Sequence, residues 1–88
     1  MPLAKVSVDD PLGMHLRMAF SLADLCSRRK CAVRVGFGGL WADGKELTDV
    51  LGLGVESGET ITLETSGPGA EDALEELKKF FAPPAKTP

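Results

Sequence analysis

Apolar and polar residues alternate over residues 3–8, LAKVSV, with Ala4, Val6 and Val8 on one face and Leu3, Lys5 and Ser7 on the other. A period of two marks a strand buried on one side. DDPLG breaks that pattern. Over residues 16–27, LRMAFSLADLCS, the period becomes helical, and Met18, Ala19, Leu22, Leu25 and Cys26 form one stripe. Arg17, Phe20, Ser21, Asp24, Ser27 and Arg28 share the opposite face, which leaves the Phe20 ring on the wet side. SRRK is expected to close the helix with cations at the negative end of its dipole.

Alternation returns at residues 31–37, CAVRVGF, with Cys31, Val33, Val35 and Phe37 inward. Gly38-Gly39 is a two-residue hairpin signal, and LWAD, residues 40–43, is the return strand. Residues 46–52, ELTDVLG, allow one or two helical turns ended by Gly52, and GVESGE is a cluster of turn formers. A further alternating strand follows at 60–65, with Ile61 and Leu63 inward, and SGPG stops it. Residues 70–81 form an amphipathic helix with Ala70, Ala73, Leu74, Leu77, Phe80 and Phe81 on its apolar face. Its acids come early and Lys78 and Lys79 come late, as the helix dipole favours. APPAKTP reads as a proline-rich tail.

The order is therefore β-α-β-β-α-β-α. Short one-sided strands of this kind predict an α+β open-faced sandwich, a four-stranded antiparallel sheet with its helices packed on one face. Residues 1–82 are expected to form one domain and residues 83–88 a flexible tail.

Composition narrows the function classes. The chain has 88 residues, a net charge of −3, 43% hydrophobic and 26% charged residues, as an ordinary globular domain does. The acidic balance argues against nucleic acid as the main partner. Neither a transmembrane run nor a signal pattern stands out, so the expectation is a cytoplasmic chain without membrane insertion. Cys26 and Cys31 fit no zinc or redox spacing well and read as small buried hydrophobes, with a disulfide or metal role as the alternative.

The chemistry gathers at PLGMHLRMAF, residues 11–20, which holds the single histidine. Gly13 gives a flexible approach to the helix, and His15 stands at or just before the first turn. The amides of Leu16, Arg17 and Met18 have no partner inside the helix, and a helix start of that kind attracts anions. Arg17 adds a guanidinium fork suited to phosphate oxygens. A neutral imidazole beside an anion site can accept a phosphoryl group. The plain alternative is a surface histidine in a first turn. No nucleotide loop, catalytic triad, cofactor site or metal cage accompanies it, so a donor protein would have to supply the phosphate. That favours a carrier over a stand-alone enzyme.

GMHLRMA, residues 13–19, resembles the Gly-Leu-His-x-Arg-Pro-Ala signature of the histidine-containing phosphocarrier (HPr) family of the bacterial sugar phosphotransferase system. GKELTDVLGLGVESGETITLETSG, residues 44–67, resembles a second family segment without a gap, and the element order matches along residues 3–82. The resemblance implies that enzyme I, phosphorylated from phosphoenolpyruvate, hands its phosphoryl group to Nδ1 of His15. The carrier then delivers it to an enzyme IIA domain. Arg17 and the amides of Leu16, Arg17 and Met18 would steady the phosphate. Phe20, Leu47 and Leu51 would form an apolar docking patch on a monomeric carrier.

Three departures stand beside the likeness. Met18 replaces the family's proline, which loses rigidity and adds one free N–H. Glu46 stands where many members carry a serine that a kinase phosphorylates, and its single charge imitates phosphoserine only in part. Asp24, Ser27 and Asp49 lie on the expected docking rim, where relatives often have lysines. Two other readings stay open: a regulatory HPr-like module that binds partners without carrying phosphate, and a small α+β binding domain that merely looks similar.

Overall fold

The computed structural model describes residues 2–82, so the tail expected at 83–88 lies outside the described residues. Seven elements follow in the expected order: β1 (Leu3–Ser7), α1 (Leu16–Ser27), β2 (Ala32–Phe37), β3 (Leu40–Asp43), α2 (Leu47–Gly52), β4 (Thr60–Ser66) and α3 (Ala70–Phe81). The strands form one antiparallel sheet in the order β1-β4-β2-β3. This is the open-faced α+β sandwich that the periodicity predicts.

The pleat explains the layering. Val33 and Val35 of β2, Ala42 of β3 and Ile61 and Leu63 of β4 point to the helices and are buried. The registers Val35↔Leu63 and Val35↔Ala42 set these side chains abreast. Against them pack Ala19, Leu22 and Cys26 of α1, Val50 of α2, and Ala73, Leu74, Leu77 and Phe81 of α3. Cys26 and Cys31 are both free thiols in this core, and burial pushes the Cys26 thiol up to about 12. At neutral pH it is therefore a small hydrophobe rather than a nucleophile. Ala23 is also buried, which the stripe read from the sequence omits.

The other sheet face is open. Here Gly36 lies opposite Trp41, and a Cβ on Gly36 would come within 2.8 Å of the indole. The ring covers the glycine, and the Arg34 guanidinium stacks 4.3 Å from its centroid. Arg34 also pairs with Glu64 across the sheet at 3.0 Å. The hairpin at Gly38-Gly39 has φ of +57° and +82°, the two positive angles that a tight hairpin turn matching strand twist requires.

The end of α1 differs from expectation. Its last turn contains no cation, because the helix stops at Ser27 and Arg28 is its C-cap. Arg28 turns back to Asp24. Arg29 instead crosses to α3, where its Nε donates to Glu76 at 2.7 Å, while Lys45 donates to the Arg29 carbonyl at 2.9 Å. Arg28 stays at the helix end, its Nε 3.5 Å from the Asp24 carbonyl, while Arg29 and Lys45 join three segments. Among the described residues, no helix is long and apolar enough to cross a membrane.

Candidate functional site

The site begins in the turn that follows β1. The carboxylate of Asp10 accepts the Leu12 N–H through Oδ1 at 2.9 Å, and its carbonyl accepts the Gly13 N–H at 2.8 Å. Short aspartate side chains favour such turns because they can satisfy the backbone locally. Gly13 is not the flexible approach that the sequence suggests. Its φ is +69°, and a Cβ there would lie 2.6 Å from the Val55 carbonyl oxygen. The next amide, Met14 N–H, donates to that same oxygen at 2.9 Å. Glycine is needed at this point for a close backbone approach that fixes where α1 starts.

His15 is the N-cap of α1, with extended backbone (φ −86°, ψ 173°). Its carbonyl accepts the Ala19 N–H at 2.9 Å, while its side chain makes no capping bond. The amides of Leu16, Arg17 and Met18 consequently have no acceptor among the described residues. The first turn of α1 contains no acid that would occupy its positive end.

The imidazole is half-buried, and Nε2 lies 3.2 Å from Asp10 Oδ2. Nδ1 has no partner among the described residues. The Leu12 N–H first, and His15 second, hold the Asp10 carboxyl below its usual range. Arg17 is exposed. Arg28, Arg29 and Arg34 each have a carboxylate partner, whereas Arg17 has none among the described residues. Its guanidinium is therefore available to an anion at the helix start.

Beside the imidazole lies a groove lined by Leu12, His15, Leu16, Arg17, Phe20 and Leu47. Leu12, Leu16 and Phe20 are 76%, 62% and 62% exposed. So much uncovered apolar surface around one polar group marks an interaction face. The structure thus brings His15, Leu16, Arg17, Phe20 and Leu47 together. Met18 contributes its N–H at the helix start, but its side chain is half-buried against the core. Leu51 does not line this groove; it is half-buried and packs on the core. Glu46 is the exposed N-cap of α2, immediately beside Leu47, and its side chain makes no capping bond.

Asp10, Leu12 and the side chain of Leu16 are members that the sequence reading missed. Asp10 offered only one signal, an acid within a turn shortly before the histidine.

The sequence of residues 3–83 matches the model of the HPr component phosphorylation site of the phosphotransferase system. The chain belongs to the HPr family. The role attached to that family is phosphocarrier of the phosphotransferase system. Among similar proteins, the phosphocarrier protein HPr of Cupriavidus necator is 30% identical over 76 residues, covering 86% of this chain and 85% of that protein. HPr of Pseudomonas aeruginosa is 32% identical over 82 residues, covering 92% and 91%. The crystal structure of an HPr from Bacillus anthracis superposes with a TM-score of 0.87 at 25% identity, covering 92% of this chain and 96% of that one. An HPr from Thermoanaerobacter tengcongensis gives a TM-score of 0.88 at 21% identity, covering 92% and 91%, a likeness of fold.

Proposed function

We propose that the chain accepts a phosphoryl group from enzyme I on Nδ1 of His15 and passes it to enzyme IIA domains, as a monomer in the cytoplasm. The observation that carries this reading is an imidazole nitrogen without a partner among the described residues, on the N-cap of a helix whose next three amides have no acceptor there either, with Arg17 beside them.

In the accepting step the Nδ1 lone pair forms a bond to phosphorus. The donor's bond to phosphorus breaks, and its electron pair leaves with the donor atom. The amides of Leu16, Arg17 and Met18 and the Arg17 guanidinium would hold the phosphate oxygens as charge shifts toward this site. Delivery is the same step in reverse, toward a different acceptor. The groove beside His15 gives enzyme I and enzyme IIA a shared place to dock, so both bring their reacting atom to the same nitrogen. Phe20, Leu16, Leu12 and Leu47 are its apolar contacts. Glu46 has no hydroxyl, so kinase control at that position is lost.

Incubation with enzyme I and phosphoenolpyruvate, followed by intact-mass measurement, tests the reading. The expected product carries one phosphoryl group that is labile in acid and stable in alkali. His15→Ala is expected to gain none. Undiminished phosphorylation of that variant, or none on the native chain, would overturn the assignment.

A further inference from the structure

We propose that Asp10 is the positioning residue that makes Nδ1 of His15 the reacting nitrogen, by keeping the ring proton on Nε2. This rests on the carrier reading above and deepens it. An ionised carboxylate only accepts hydrogen bonds. Its contact with Nε2 at 3.2 Å therefore requires Nε2 to donate. A neutral imidazole has one N–H, so the free lone pair is left on Nδ1.

Asp10 is itself well anchored. Its other oxygen accepts the Leu12 N–H at 2.9 Å, and its carbonyl accepts the Gly13 N–H at 2.8 Å. The following residues are tied to Val55. A carboxylate on so constrained a turn fixes the orientation of the ring as well as its tautomer. The low carboxyl pKa keeps it an acceptor throughout the neutral range.

The proton and charge balance through the transfer. As the Nδ1–P bond forms and the donor's P bond breaks, the ring becomes cationic with its proton still on Nε2. The Asp10 carboxylate faces that charge, and a bond between ionised partners is stronger than the neutral one it replaces. When the phosphoryl group leaves, the ring returns to the same neutral tautomer. No proton has to move at either step.

Asp10→Asn separates this role from a structural one. The asparagine oxygen can keep the Leu12 N–H, which leaves its NH2 group facing Nε2. Turning the amide over would set NH2 against N–H at Leu12. Nε2 must then accept, and the proton moves to Nδ1. Long-range 1H–15N spectra at alkaline pH are expected to change from the Nε2–H to the Nδ1–H pattern, with the melting temperature held. Phosphoramidate, a small donor that needs no protein, is expected to phosphorylate this variant about 10- to 100-fold more slowly than the native chain.

Asp10→Ala frees the ring instead. It is expected to yield both Nδ1- and Nε2-phosphohistidine with phosphoramidate, where the native chain yields the Nδ1 isomer. An unchanged tautomer and rate in Asp10→Asn, or an unchanged isomer pattern in folded Asp10→Ala, would overturn the proposal. Should Asp10→Ala fail to fold, Asp10→Asn decides alone, because it retains the turn acceptor. Failure of enzyme I on the native chain would count against the carrier reading and leave the tautomer measurement to judge Asp10.

Discussion

Helices α1 and α3 have 12 residues each and bury a stripe in the same core, but their ends follow opposite rules. In α3, Glu71 and Asp72 occupy the first turn and Lys78 and Lys79 the last, so each end of the dipole meets a complementary charge. Of its large apolar residues, Leu74, Leu77 and Phe81 are buried and Phe80 is half-buried against the core. The first turn of α1 has no acid and its last turn has no base. Leu16 and Phe20 stand 62% exposed. The helix without an acid in its first turn is the one whose start is left open to an anion and whose outer face is left open to a partner. The missing acid and the uncovered apolar residues occur together at the start of α1, and that place surrounds the histidine.

The widest separation of the two helices should come from truncating one large apolar residue in each. Leu77→Ala in α3 removes a side chain that is 2% exposed and should cost about 2–5 kcal/mol. For a domain of this size that is a fall in melting temperature on the order of 10 °C or more, with transfer from enzyme I unchanged while the protein stays folded. Phe20→Ala in α1 should change stability by less than about 0.5 kcal/mol and slow transfer about tenfold or more. Thermal melts and transfer rates on both variants check the pair. A Phe20→Ala variant that melts far lower and transfers normally would make α1 as structural as α3.

The bounds of both helices were legible in the sequence, because strong periodicity met PLG before α1 and SGPG and APP around α3, although no such breaker marks the end of α1. The anion site was legible too, since free amides follow from any helix start once His15 is placed there. What the sequence hid depends on where separate segments meet. Asp10 sits in DDPLG, where an acid reads equally well as a turn former, and only the folded turn aims it at Nε2. Gly13 looks permissive by itself; its need arises from Val55, which belongs to a distant turn. Leu47 and Leu51 share a spacing that puts them on one face, but spacing in a helix of six residues does not say which way the face points. Both are half-buried against the core, and Leu47 alone of the two also lines the groove. Arg29 reads as a helix-end cation, and its partner Glu76 lies on the other helix.

A smaller effect would come from giving α1 the charge rule of α3. Leu16→Glu sets an acid in its first turn, on a side chain that is already exposed. The dipole interaction should raise stability by about 0.3–1 kcal/mol. The same carboxylate would compete for the free amides and repel phosphate, so phosphorylation by phosphoramidate should slow severalfold. Higher stability with slower phosphorylation would show that the start of α1 trades the first for the second. Slower phosphorylation without any gain in stability would reduce the contrast between the helices to the apolar groove alone.

Met18→Pro should have the smallest effect, and its sign is informative. Residue 18 lies in the first turn of α1, where its N–H has no acceptor among the described residues. Proline there loses no helical hydrogen bond and restricts the unfolded chain, a gain of about 0.4–1 kcal/mol where the backbone is compatible. Against this stands the methionine side chain, half-buried against the core. Full burial of such a side chain is worth about 1.5–3 kcal/mol, so the half that is covered is worth roughly as much as the proline gains. Proline's ring would keep part of that contact. The net change in a denaturant titration should therefore fall within about 1 kcal/mol of zero. The phosphoryl group supplies the sharper measurement. If the Met18 N–H holds a phosphate oxygen, the variant should accept phosphate more slowly although it is as stable as the native chain. If Leu16 and Arg17 hold it without help, the rate should be unchanged, and Met18 then belongs with the buried stripe of α1 rather than with its open end.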